Sequence, residues 1–250
     1  MRSLFNDVYV MVDADQLRVW AGPDADARCG GAPCFAAEHG GEPAELLARA
    51  LADLPKARPA LRNRVQVLLA HPWAQGVVLP WQDGLCSSTG WDAYGRALLE
   101  PHAPGVPLSV RVAHVGFGRA RLAIAVREDL LGALAEASRA AGWTLTRCRD
   151  LLSFVLREYA ARRVDADCRI ALLQPGALTC LFRWGGEWAD LVTLPSLRGQ
   201  RVSDLLDAAA LVSEADVTGP IYLYAHDAAR VAPDCGDAVL LGDVADEVPA

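Results

Sequence analysis

One lysine, Lys56, stands among the 24 basic residues of this 250-residue chain. Schiff-base chemistry and a P-loop would both have to use it. It lies in the linker LPKARP without a glycine loop, so neither chemistry is expected. Long apolar runs are missing too, and none approaches the roughly 18 residues a membrane helix needs. The N-terminal MRSLFNDVYVMV is broken by Asn6 and Asp7 and shows no cleavage site, so it does not read as a signal peptide. There is no basic stripe interleaved with aromatics, and the net charge is −7. A nucleic-acid partner, whose phosphates need neutralising, is not expected. Seven cysteines (Cys29, Cys34, Cys86, Cys148, Cys168, Cys180 and Cys235) are odd in number and scattered. Cys148, Cys168 and Cys180 sit in or beside apolar runs, where a thiol acts as a small hydrophobe. The expectation is a reduced, cytoplasmic protein.

What the chain does have is apolar residues, 52% of the total, in patterned segments. The clearest is Val106–Asp150. Leu108–Val115 and Ala120–Val126 flank the turn Gly116-Phe117-Gly118, the signal of a β-hairpin. Leu130, Leu131, Leu134, Ala137 and Ala141 recur at helical spacing. Glu128 and Asp129 stand at the helix start, Arg139 in its last turn and Gly142 just beyond, as the helix dipole and a left-handed cap prefer. Trp143–Cys148 reads as a strand, and Asp150 is placed to cap a helix carrying Leu151, Leu152, Val155, Leu156 and Tyr159.

Before this stretch, Asp7–Val12 and Leu17–Ala21 flank a tight turn, and a weaker strand is expected near Ala32–Ala37. Pro43 opens a helix with Leu46, Leu47, Ala50, Leu51 and Leu54 on one face. Val65–Ala70 is a buried strand and Gly76–Trp81 an extended return. Ser87-Ser88-Thr89 supplies a helix cap, with Ser88 or Thr89 as the capping hydroxyl. After the stretch, Arg169–Leu173, Leu178–Trp184 and Trp188–Leu194 read as a meander. A helix over about 202–212 and strands at Ile221–Tyr224 and Val239–Leu241 follow, before an acidic tail.

The two ends therefore share an order of elements: three meandering strands, a helix, then a buried strand. No residue-level repeat accompanies it. The expected fold is α/β, a duplicated ribonuclease H-like (actin-like ATPase) architecture. Residues 1–164 form its first subdomain, with an inserted hairpin at 106–126, and 165–250 its second.

This order resembles the actin-like proteins of type IV pilus and type II secretion assembly platforms: the PilM-type protein and the cytoplasmic domain of secretion protein L (GspL). The segments LAIAVREDLLGALAEASRAAGWTLTRCRDLL and LFRWGGEWADLVTLP carry the local likeness. The resemblance implies a cytoplasmic adaptor recruited to the inner membrane. Its partners would be the cytoplasmic tail of an inner-membrane subunit or the assembly ATPase, and a second copy of the chain stands beside them as a candidate. Relatives of the secretion protein continue into a membrane helix and a periplasmic domain. The expectation is therefore a stand-alone relative or a truncated fragment.

An active member of this fold holds ATP and Mg²⁺ between two hairpin turns, through backbone amides, an aspartate and close-approach glycines. The first turn here, Asp13-Ala14-Asp15-Gln16, has carboxylates but no glycine. The second, Gln174-Pro175-Gly176-Ala177, has a glutamine in place of the acid and a proline that removes a donor. After Tyr224, where paired glycines would admit adenosine, the chain reads Ala225-His226-Asp227. The residues of a nucleotide site would be Asp13, Asp15, Gln174 and Gly176. The departures point to a pseudo-ATPase with no cofactor.

Other constellations are weaker. Cys29, Cys34 and His39 do not have the spacing of a common zinc site. Gly116-Phe117-Gly118 lies between strands rather than before a helix. No nucleophile elbow surrounds Ser87 or Ser88. The aromatics are the better lead: Trp73, Trp81, Trp91 and Tyr94 crowd one region, and Trp184 and Trp188 bracket a glycine turn. Tryptophan in such places either covers a core or anchors an interface.

Overall fold

The computed structural model describes residues 5–21, 33–59, 62–160, 164–197, 199–213, 215, 217–225 and 236–241. They gather into two compact units. One comprises 1–74, 106–109 and 126–154, and the other 75–105, 110–125 and 155–250.

The first unit is built on a five-stranded sheet. β1 (Asn6–Val12) pairs antiparallel with β2 (Gln16–Ala21), and β2 with β3 (Phe35–Glu38). Helix α1 (Pro43–Ala52) then carries the chain over to β4 (Asn63–Leu69), which runs parallel to β1 with Val10 opposite Val67. The crossover is needed because parallel neighbours cannot be joined by a tight turn. Pro43 stands in the first turn of α1, where its missing amide costs nothing, and Leu46, Leu47, Ala50 and Leu51 are buried. They cover Val8, Val10, Val65 and Val67. Each large aliphatic side chain buried this way contributes about 2 kcal/mol.

Helix α3 (Glu128–Ala140) lies beside α1 and leads through Gly142, at φ +78°, into β8 (Thr144–Asp150), the last strand of this sheet. Trp143 is buried there, and its indole N–H donates to the Leu51 carbonyl at 3.0 Å. Asp150 caps the following turn, accepting from the Ser153 amide at 2.6 Å. That segment is α-helical only over α4 (Leu151–Val155) and continues as a π-helix over Leu156–Ala160. Apolar residues spaced three and four apart look alike in both forms, so the sequence reads as one α-helix.

The second unit repeats the plan. β9 (Cys168–Gln174), β10 (Ala177–Trp184) and β11 (Glu187–Pro195) form the meander. α5 (Val202–Val212) crosses over to β12 (Ile221–Ala225), parallel to β9, and β13 (Val239–Leu241) closes the sheet. Strand orders β3-β2-β1-β4-β8 and β11-β10-β9-β12-β13 are the same arrangement twice.

A three-stranded sheet is ordered β5 (Ala74–Leu79), β7 (Arg121–Arg127), β6 (Leu108–Val112). The central hairpin therefore does not stand alone: the extended return at 74–79 is its third strand. Helix α2 (Ser88–Leu99) connects β5 to β6. Its cap is Ser87, whose hydroxyl accepts from the Gly90 amide at 3.1 Å, while Ser88 already belongs to the helix. Ser87 has the extended backbone that lets a hydroxyl turn back onto the first helical amides. No helix among the described residues is long and apolar enough to cross a membrane.

Candidate functional site

The turn after β1 is organised by Asp13, whose side chain is 1% exposed. One carboxylate oxygen accepts from the amides of Asp15 at 3.0 Å and Gln16 at 2.7 Å. The other lies 3.0 Å from the Arg18 guanidinium, itself only 14% exposed. The Asp13 carbonyl accepts twice more, from the Trp73 indole N–H at 2.6 Å and from His39 Nε2 at 3.0 Å. The Gly41 amide donates to His39 Nδ1 at 3.1 Å, which assigns the ring proton to Nε2. The His39 and Trp73 rings meet edge to face, with centroids 5.4 Å apart. Asp15 points into solvent, and its carbonyl accepts from the His39 amide at 3.0 Å.

This knot has a chemical consequence. In an actin-like ATPase the amides of the first turn face phosphate. Here those of Asp15 and Gln16 are already closed on Asp13, and its carboxylate already has a cation.

The turn after β9 is plainer. Gln174 is buried, and its amide donates to the Thr179 hydroxyl at 3.4 Å, which in turn contacts the Thr193 hydroxyl at 3.2 Å. Pro175 has no amide to offer. Gly176 takes φ +78° and its carbonyl accepts from the Ser196 amide at 2.9 Å. The positions His226 and Asp227, where adenosine would be accommodated, lie outside the described residues, as do Cys29 and Cys235. Cys34 donates its thiol hydrogen to the Val19 carbonyl at 3.2 Å.

The aromatics fall into different roles. Trp73 holds the first turn. Trp91 is 2% exposed, and its indole N–H donates to the Leu85 carbonyl at 2.8 Å, so it serves the start of α2. Trp81 is half-buried. It packs on Trp91 and on Phe117, with centroids 5.5 and 4.6 Å apart, and donates to the Asp83 carboxylate at 2.8 Å. The Arg121 guanidinium lies 4.4 Å from the Trp91 ring and 5.8 Å from that of Trp81. Tyr94 closes the group against Trp91 at 6.2 Å. Phe117 is 89% exposed yet meets Trp81 edge to face, so it finishes this cluster at the surface.

Trp184 and Trp188 differ in a similar way. The Arg183 guanidinium lies 5.5 Å from the Trp188 ring, whereas Trp184 is 56% exposed. Sequence reasoning did not find what holds their hairpin. The Gly185 amide donates to the Asp167 carboxylate, the Gly186 amide to the Ala166 carbonyl at 2.9 Å, and Arg183 to the Asp165 carbonyl at 3.3 Å. Gly219 passes so close to this segment that a Cβ there would overlap the Asp167 carbonyl oxygen. Arg18 as the partner of Asp13 was also missed, although hairpin pairing places it opposite Met11 and thus near the turn.

No protein-family model matches the chain, and comparison with curated proteins gives no match. Comparison of structures does. The cytoplasmic domain of EpsL, an inner membrane component of the type II secretion system of Vibrio cholerae, aligns over 88% of this chain and 82% of its own, with 16% identity and a TM-score of 0.52. The PilM–PilN type IV pilus biogenesis complex aligns over 96% and 88%, with 14% identity and a TM-score of 0.54. A Bacteroides thetaiotaomicron protein with an actin-like ATPase fold and unknown function aligns over 97% and 93%, with 10% identity and a TM-score of 0.57. The chain has the actin-like ATPase fold, a duplicated ribonuclease H-like α/β architecture, and its structural neighbours include pilus and secretion assembly proteins.

Proposed function

We propose that this chain is a non-catalytic adaptor of a type IV pilus or type II secretion-like assembly platform. It would be recruited to the inner membrane by binding the cytoplasmic tail of a membrane subunit or the assembly ATPase. The fold it shares with the EpsL cytoplasmic domain and the PilM–PilN complex supports the setting. The observation that carries the non-catalytic part is the closed first turn: the Asp15 and Gln16 amides and the Arg18 guanidinium all converge on the Asp13 carboxylate. A phosphate and its metal would have to displace contacts the protein makes to itself. Buried charge pairs are costly to break because each partner is left desolvated. Pro175 and Gln174 in the second turn support the same reading.

The competing reading is an active actin-like ATPase with Asp13 and Asp15 near Mg²⁺. Its support is the Asp15 carboxylate, which stands in solvent at the turn. Calorimetric titration with Mg-ATP separates the two. The adaptor gives no binding heat up to millimolar nucleotide. Micromolar binding that disappears in Asp13→Ala would overturn it.

A further inference from the structure

We infer that the Trp184 hairpin is a docking point for a short basic segment, the Lys/Arg-bearing cytoplasmic tail of an inner-membrane protein, with a cationic head lying on the Trp184 indole beside the Asp167 carboxylate. This deepens the adaptor reading and rests on it for the source of the segment.

The hairpin is held in shape before any partner arrives. Gly185 and Gly186 take φ +57° and +80°, the left-handed pair of a two-residue turn whose twist suits the flanking strands. Its tip is fastened to 165–167 through Gly185 to the Asp167 carboxylate, Gly186 to Ala166, and Arg183 to Asp165. A surface group fixed beforehand binds without the entropy loss of ordering a loop.

The chemistry of the tip points to a cation. Arg183 lies over Trp188, so one ring of this hairpin already receives a guanidinium. Among the described residues no ring or cation lies on Trp184, which is 56% exposed. The attraction of a positive head to an indole face is strongest among the aromatic side chains.

The neighbouring carboxylates have the complementary sign, and the two cations among them, Arg183 over Trp188 and Arg119 at Glu187, are each already engaged. Asp167 touches the tip through Gly185, and Asp165 lies two residues away with its carboxylate accepting from the Tyr222 hydroxyl at 3.1 Å. Glu187, at the start of β11, meets Arg119 at 3.6 Å across exposed side chains, a pairing weak enough to be exchanged. The whole chain carries −7, so a basic segment is attracted and an anionic surface repelled. Cytoplasmic tails next to membrane helices are enriched in Lys and Arg. They are short, charged and available, which fits a single ring and a few carboxylates better than a large globular face.

The test uses the full chain and the peptide Gly-Arg-Arg-Ser-Arg-Arg-Gly, with a glutamate-for-arginine peptide as control, read by calorimetry at low salt. The arginine peptide binds and the glutamate peptide does not. Trp184→Ala weakens binding at least tenfold, as loss of a central aromatic anchor does. Asp167→Asn weakens it about threefold, because the amide oxygen still holds Gly185 while the charge is gone. Melting curves of both variants serve as the fold control. No binding of the arginine peptide, or equal affinity for wild type and Trp184→Ala, would overturn the hairpin site. The adaptor reading is tested separately with synthetic cytoplasmic tails of type IV pilus and type II secretion inner-membrane proteins. A tail that binds Trp184→Ala as tightly as wild type keeps the adaptor and removes the hairpin site. An arginine peptide that needs Trp184 while no tail binds keeps the hairpin site and removes the adaptor.

Discussion

The turn after β1 and the turn after β9 hold the same station in their two sheets, yet only the first is built around a charge. Asp13 gathers two backbone amides, an arginine, a histidine and a tryptophan into a closed knot. Gln174 instead makes a neutral contact with Thr179. A nucleotide-binding pair of turns would be expected to stay polar, open and similar on both sides. In the first the acid is a structural fastener, and the second has no acid. The same strand order thus carries two differently built turns.

This contrast can be broken most directly through stability. Asp13→Ala leaves Arg18 buried without its carboxylate and frees the two turn amides, so it should cost about 3–5 kcal/mol in urea denaturation. Gln174→Ala removes a neutral hydrogen bond and should cost about 1–2 kcal/mol. If Asp13→Ala were no more damaging than Gln174→Ala, Asp13 would not be a fastener, and a ligand-binding role would regain its footing.

A finer probe is Trp73→Phe, which keeps a ring against His39 but removes the donor to the Asp13 carbonyl. A loss of about 1 kcal/mol is expected, since His39 still donates to that carbonyl. A loss comparable to that of Asp13→Ala would show that the knot is held from the tryptophan rather than from the acid.

The smallest effect concerns pH. His71 follows β4, and burial holds its imidazole below the ordinary value of 6.5, so the folded state favours the neutral ring. As the pH falls through 6.5 the unfolded chain takes up this proton first. The contribution is therefore whole above that value and is lost below it. Urea midpoints measured from pH 8 to pH 5 should fall more steeply for wild type than for His71→Gln.

Much of the fold is legible in the residues because periodicity and caps are local. The α3 pattern from Glu128 to Gly142 and the paired glycines at 185–186 each act within a few positions. The pairing of β5 with β7 is not legible in that way, because it joins segments about 45 residues apart in sequence. Ser87 as the cap of α2 was missed among adjacent hydroxyl residues, whose order alone does not say which one has the extended backbone. At the turns, the missing glycine, the proline and the glutamine could be read directly. The Arg18 contact that completes the argument needed the hairpin register. The aromatic residues showed where rings cluster but not their roles: Trp73 and Trp91 hold the chain's own structure, while Trp184 faces outward.

Gly219 makes one of these arrangements genetically visible. It is not part of the Trp184 hairpin, yet any side chain at this position would push against the backbone of the segment to which that hairpin is fastened. Because the obstacle is backbone rather than a flexible side chain, Gly219→Ala should lower stability and, on the docking proposal, displace the segment that holds the Trp184 hairpin as well. On that proposal, a lesion at a residue outside the hairpin would weaken binding together with stability, although every contact residue is unchanged.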